Sequence, residues 1–109
     1  MSEFKRVEKV RREHFRNLAA VRTAVLDFLP VDQDYSPTIV ADYLIQHCVN
    51  EQTCPETGRP YRFDRFPKAT RFGIIKSLLD SLVAEGLVER GYGAGPTGRE
   101  TLTYNANQA

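Results

Sequence analysis

The residues best suited to metal or thiol chemistry are few. Two cysteines and two histidines occur in the 109-residue chain, and His47, Cys48 and Cys54 lie close together. Imidazole and thiolate are zinc donors, but a structural zinc needs four ligands, commonly as two close pairs. Here the second pair lacks its partner, which Glu51 or Glu56 would have to replace. The favoured reading is no metal and no cofactor. Cys48 is expected to be a small core residue on a helix and Cys54 a loop thiol. A Cys48–Cys54 bridge, or a redox switch made from it, is unexpected in a reducing compartment. No phosphate-cradling glycine loop ending in Lys-Ser/Thr, no Gly-x-Ser-x-Gly elbow and no His-Glu-x-x-His motif occurs. Gly93–Gly98 is glycine-rich, but no helix follows it. His14 falls beside Arg11 on a helical face and is expected to be solvated. The chain therefore reads as a binding protein and not as an enzyme.

A second group of residues points to polyanions. Arg59, Arg62, Arg65 and Lys68 alternate with Tyr61, Phe63 and Phe66. Guanidinium and ammonium groups hold phosphates in a salt-dependent way, so the cations are read as binding groups. The aromatics are read as capping the core, with Asp64 and an acidic helix as the competing partners of the arginines. The net charge of +1 conceals segregation. Residues 1–22 carry seven basic and three acidic side chains, 23–57 six acidic and no basic, 58–76 six basic and one acidic, and 77–109 two basic and four acidic. Two basic segments separated by an acidic one can give a one-sided potential that favours a polyanion.

The elements that must position these groups follow from periodicity and punctuation. Phe4, Val7, Arg11, His14, Leu18, Val21, Val25 and Phe28 recur at intervals of three and four, the spacing of one helix face. The stripe is solidly apolar only from Leu18. Residues 16–29 are thus expected to be a core helix that Pro30 ends, and 1–15 a helical extension or arm. Residues 31–35 read as a connector or edge strand. Ser36-Pro37 is an N-cap followed by proline in the first turn, opening a helix to about Val49 with Ile39, Val40, Tyr43, Leu44 and Cys48 on one face. Residues 50–67 read as a long loop with a short strand possible near Tyr61–Phe66. A third helix is expected over 68–85, burying Phe72, Ile75, Leu78, Leu79, Leu82 and Val83 and stopped by Gly86. Leu87–Arg90 and Thr101–Tyr104 are strand-like, with a glycine-rich hairpin tip between them.

Leu82–Arg90 followed by Gly98–Tyr104, after three helices, resembles the winged helix-turn-helix domain of small regulators of the multiple-antibiotic-resistance type. The resemblance covers most of residues 16–105 and implies a mainly α fold with a small β-hairpin: a three-helix core, a C-terminal wing and an extended N-terminal helix, with 106–109 as a tail. Two departures stand out, the long loop between the second and third helices and the N-terminal segment.

The resemblance further implies double-stranded DNA as partner, with helix 68–85 in the major groove and a role as a transcriptional regulator. With Phe72 and Ile75 inward, the outward set becomes Thr70, Arg71, Gly73, Ile74, Lys76 and Ser77. Arg71 and Lys76 suit guanine edges or phosphates, Thr70 and Ser77 suit phosphates, Gly73 allows close approach, and an exposed Ile74 suits a thymine methyl. Asp80 is expected to point away or pair with a neighbouring base. Arg90, Tyr92 and Arg99 form the contact set of the wing. A homodimer through the N-terminal helix is expected, with Val7, Val10 and Leu18 as its contact. The alternative is a winged-helix module that binds a protein partner in a larger complex. No apolar stretch approaches a membrane span and the start has no secretory h-region, so a cytoplasmic protein with no membrane partner is expected.

Overall fold

The computed structural model describes residues 3–29, 35–47, 51–94 and 100–106, without the side chains of 3, 4, 92–94 and 100–102. Pro30, residues 31–34, Cys48 and Arg99 lie outside that set, as does the side chain of Tyr92. The described chain is mainly helical with small antiparallel β-elements. Helix α1 spans Glu3–Asn17, α2 Ala19–Phe28, α3 Pro37–His47 and α4 Lys68–Ala84. Between α3 and α4 lie strands β1 (Glu51–Thr53) and β2 (Pro60–Arg62) and a 3-10 turn at Phe63–Arg65. Strands β3 (Val88–Ala94) and β4 (Glu100–Ala106) follow. Among the described residues no helix is long and apolar enough to cross a membrane.

The N-terminal helical signal resolves into two helices, and the first is part of the core. Leu18 adopts an extended conformation (φ −66°, ψ 127°) that interrupts the helix. Phe15 and Val21 are both buried. They are six residues apart, a spacing that a straight helix would splay by about 120°. The break turns both toward one core. Phe15 stacks on Phe63, with ring centroids 4.4 Å apart and planes 5° from parallel. Val7, Val10 and Leu18 also pack against this core. Of the two expectations for this segment, a helical extension or an arm, the described residues form a helix, and it packs on the core. The apolar side chains that had suggested a dimer contact are engaged within the chain.

The boundary at Ser36–Pro37 is as expected: the Ser36 carbonyl accepts from the amides of Ile39 and Val40. The Ser36 hydroxyl, however, is buried without a partner, so the cap is made by backbone and proline geometry. Helix α4 ends where glycine predicts. Gly86 takes φ +77°, its amide donates to Val83 O, and the Leu87 amide reaches Leu82 O at 3.0 Å, the paired bonds of a Schellman turn.

The long loop contains structure that sequence alone left unresolved. Strands β1 and β2 pair antiparallel with Gln52 opposite Tyr61, joined by a turn with Gly58 at φ +71°. This hairpin and the 3-10 turn place Phe63 fully inside and Tyr61 almost so. Strands β3 and β4 pair from Val88–Ala106 to Ala94–Glu100. A third segment joins them: Tyr35 and Tyr104 exchange two backbone hydrogen bonds of 2.9 Å. At Tyr35, the end of the segment read as a connector or edge strand, the pairing is a single β-bridge.

One expectation about α4 is corrected. Ile74 is buried (5% exposed) and Phe72 is not (37%). The inward stripe is Ile74, Ile75, Leu78, Leu79 and Leu82. The cause is α1. A mobile arm would leave the Ile74 side of α4 open to solvent, whereas a packed α1 covers it and rotates the buried stripe toward itself. Burying an isoleucine or a phenylalanine is worth about 1.5–3 kcal/mol alike, so the neighbouring helix and not the side-chain type decides which one turns inward.

Candidate nucleic-acid interface

The solvent side of α4 carries Lys68, Ala69, Phe72 and Gly73, all exposed. Ala69 and Gly73 are small and one turn apart, so the helix backbone comes close to the surface between them. A side chain at Gly73 would find open space, with nothing within 4 Å of a Cβ placed there. The helix start has no side-chain cap, Pro67 being its N-cap residue. Its first amides therefore receive no hydrogen bond from an N-cap side chain, an arrangement that favours an anion.

A shallow cleft flanks this ridge on each side. One, about 530 Å³, lies between the starts of α3 and α4 and is lined by Thr38, Ala41, Asp42, Lys68, Arg71 and Phe72. The other, about 500 Å³, lies between α1 and α4. Lys9, Arg12, Glu13 and Arg16 line one wall, and Ala69, Thr70, Gly73, Ile74 and Ser77 the other. Arg16 Nη1 donates to Ser77 Oγ at 2.9 Å. Lys9 and Arg12 form no ion pair among the described residues, and Arg12 Nε is buried without a hydrogen-bond acceptor.

The residues read from sequence as DNA contacts divide into two groups. Thr70, Gly73 and Ser77 come together in the α1–α4 cleft, and Lys68 sits at the head of α4. Arg59 and Arg65 are exposed and make no ion pair among the described residues. Arg62, Arg71, Ile74, Lys76 and Arg90 are engaged within the fold, and Arg99 and the side chain of Tyr92 lie outside the described residues. Arg71 Nη1 donates to Phe66 O at 2.7 Å and to Asp64 O at 3.4 Å, bracing the turn that leads into α4. Arg62 is paired with Asp64 at 2.9 Å and lies 3.6 Å from Glu51. Those hydrogen bonds with Arg62 hold the Asp64 carboxyl below its ordinary range and push the Arg62 guanidinium up. Ile74 is inside, so the thymine-methyl role assigned to it fails, and Phe72 is the apolar side chain left on the surface.

Lys76 and Arg90 converge on Asp80. Lys76 Nζ lies 2.9 Å from Oδ2, Arg90 Nη1 3.4 Å from Oδ1, and the Tyr104 hydroxyl donates to Oδ1 at 2.7 Å. Burial alone would raise the Asp80 carboxyl, but the bonds from Lys76 and Tyr104 outweigh it and hold it low. Tyr104 is pushed up by its burial and by the Asp80 carboxylate. The expected pairing of Asp80 with a neighbouring base is thus present. Its further effect is to clamp strand β4 to α4.

His14 is not the solvated residue expected. Its Nδ1 lies 2.6 Å from the Tyr61 hydroxyl, and Arg11 sits over the Tyr61 ring, 5.9 Å from its centroid. Burial raises the Tyr61 hydroxyl to about 12. Cys54 is buried. Burial opposes its ionisation, but hydrogen bonds from Thr57 and Arg11 bring the thiol down to about 7. Among the described residues no group of three His, Cys, Asp or Glu side chains converges as metal ligands.

Sequence reasoning missed the basic row of α1. Lys9, Arg12 and Arg16 are separated by three and four residues, so they share a helix face. That signal was legible in the spacing. It carried no weight while α1 was read as an arm, because only the packing of α1 against α4 brings the row beside Gly73.

Comparison of the chain with protein-family models, with curated proteins and with solved structures finds no match.

Proposed function

We propose that the chain is a winged helix-turn-helix protein that binds double-stranded DNA as a transcriptional regulator, presenting the first half of α4 to the major groove. The observation that carries the reading is the α4 ridge. Small residues at 69 and 73 and an exposed Phe72 stand between two clefts, with Lys68, Lys9 and Arg12 in no ion pair among the described residues. A helix that enters a groove needs a slim, unclamped face flanked by cations, and this face has both. Phe72 takes the contact with a thymine methyl. The hairpin β3–β4, joined by Tyr35, supports the winged-helix reading, with β1–β2 as an insertion in the turn between α3 and α4. Because α1 spends its apolar face inside the chain, we read one copy as the binding unit.

A protein partner is the rival reading, favoured by the exposed apolar side chains of Ile39 and Phe72. The test is fluorescence anisotropy of a random-sequence duplex across salt concentrations. DNA binding predicts an affinity whose logarithm falls linearly with log salt, with a slope of roughly −0.9 per phosphate contacted. Replacing Lys68 or Phe72 by alanine should weaken it. Absence of any binding at about 50 mM salt, where phosphate contacts are strongest, overturns the proposal.

A further inference from the structure

We infer that α1 is itself a DNA-contacting element, and that the cleft between α1 and α4 seats the sugar–phosphate backbone of one strand of duplex DNA. This rests on the reading of α4 as a DNA-binding helix and extends it to a helix that the sequence had suggested as an extension, an arm or a dimer contact.

The two faces of α1 have opposite fates. Phe15 is fully buried, and Val7, Val10 and Leu18 pack on the core. The opposite face presents Lys9, Arg12 and Arg16 along the edge of α4. From Lys9 to Arg16 the helix advances about 10 Å, a length over which one DNA strand carries about three phosphates at 3.4 Å each. The facing wall is made for close approach to a backbone. It offers the Thr70 and Ser77 hydroxyls, and between them Gly73, whose missing side chain leaves open space.

Within the cleft the cations have unspent capacity. Arg12 Nε is shielded from solvent and has no acceptor, and leaving such a donor unpaired costs about 1–3 kcal/mol. The Arg12 side chain nonetheless lines the cleft, so a phosphate there meets the outer N–H groups of its guanidinium. Arg16 is oriented by Ser77, 2.9 Å away, so its remaining N–H groups are available in a fixed direction. Glu13 is the one carboxylate lining the cleft, and it leaves the lining cationic.

The experiment uses the full chain and the same random duplex. Lys9→Ala/Arg12→Ala removes two phosphate contacts. The salt slope should become shallower by roughly 1.8, which amounts to an affinity loss of about 60-fold at 0.1 M salt relative to a common value at 1 M. The loss should be the same for every duplex sequence, because phosphates carry no base information. Gly73→Glu puts a carboxylate into the open space and should weaken binding further while the thermal midpoint stays at or above that of the wild type. Should Arg12→Ala compromise folding, Lys9→Ala alone still tests the point: its side chain is exposed, and its slope should become shallower by roughly 0.9. If the wild type binds duplex DNA and these variants keep its slope and affinity, the assignment of α1 is overturned while the reading of α4 stands. If the wild type binds no DNA, both fall. Equal affinity for duplex RNA, whose groove geometry differs, would overturn DNA as the occupant.

Discussion

Replacing Gly73 by alanine should make the protein more stable and a weaker DNA binder. Gly73 is the sixth residue of the seventeen in α4, well inside the helix, where glycine costs about 1 kcal/mol relative to alanine through its backbone entropy. That cost is recovered only if the added methyl meets no obstacle. Nothing lies within 4 Å of a Cβ built at Gly73, and its φ is not in the left-handed region, where Gly58 and Gly86 are found among the described residues. The full propensity difference should therefore appear as stability. In a domain of this size about 1 kcal/mol raises the melting temperature by roughly 4–8 °C. Urea unfolding followed by circular dichroism should show a higher midpoint with an unchanged slope, since no change in exposed surface is involved. DNA affinity should fall, because the methyl stands where a phosphate or base edge approaches. A melting temperature at or below that of the wild type would refute the structural reasoning, because it would mean that the site is not an open helix face.

Two further predictions test the packing. Phe15→Ala should cost about 3–5 kcal/mol in urea unfolding, the usual range for emptying a fully buried phenyl site, since Phe15 is completely buried and stacked on Phe63; a loss below about 1 kcal/mol would return α1 to the status of an arm. Tyr104→Phe should cost about 1.5–3 kcal/mol through loss of its hydrogen bond to the Asp80 carboxylate, and Asp80 adds a pH signature to the same cluster. Its folded carboxyl is held below the ordinary value, so the stability it contributes is present above the unfolded pKa of about 3.9 and is lost as pH falls through the folded value. Asp80→Asn should thus be less stable than the wild type at neutral pH, with the gap closing in acid; a gap that is constant with pH would show that the carboxylate charge contributes nothing.

Much of the architecture was legible from local signals, because those signals act over a few residues. Ser36-Pro37 opens α3 and Gly86 closes α4 for reasons of backbone geometry that need no tertiary partner. The strands after Gly86 follow from β-propensity on either side of a glycine-rich tip. The aromatic residues of the 50–67 segment were read as capping the core, and Tyr61 and Phe63 are buried in it while Phe66 packs against it half-buried. Even the cationic row of α1 was written in its spacing.

Tertiary structure alone decided which of these residues face solvent. Sequence periodicity says that a helix has a buried stripe. The exact rotation of that stripe depends on which neighbours compete for it, and here α1 claims the side of α4 that carries Ile74, leaving Phe72 outside. The same packing brings Lys9, Arg12 and Arg16 beside Gly73 across more than fifty residues of chain, a juxtaposition that no local rule contains. It also determines which cations are spent. Lys76 and Arg90 look as available in sequence as Lys68 and Lys9, but Asp80, itself held by Tyr104, pairs with both of them. Charge type and spacing are properties of the sequence. Whether a charge is neutralised or open to a partner is a property of distance in three dimensions, because Coulomb energy and hydrogen bonding depend on separations of a few ångströms.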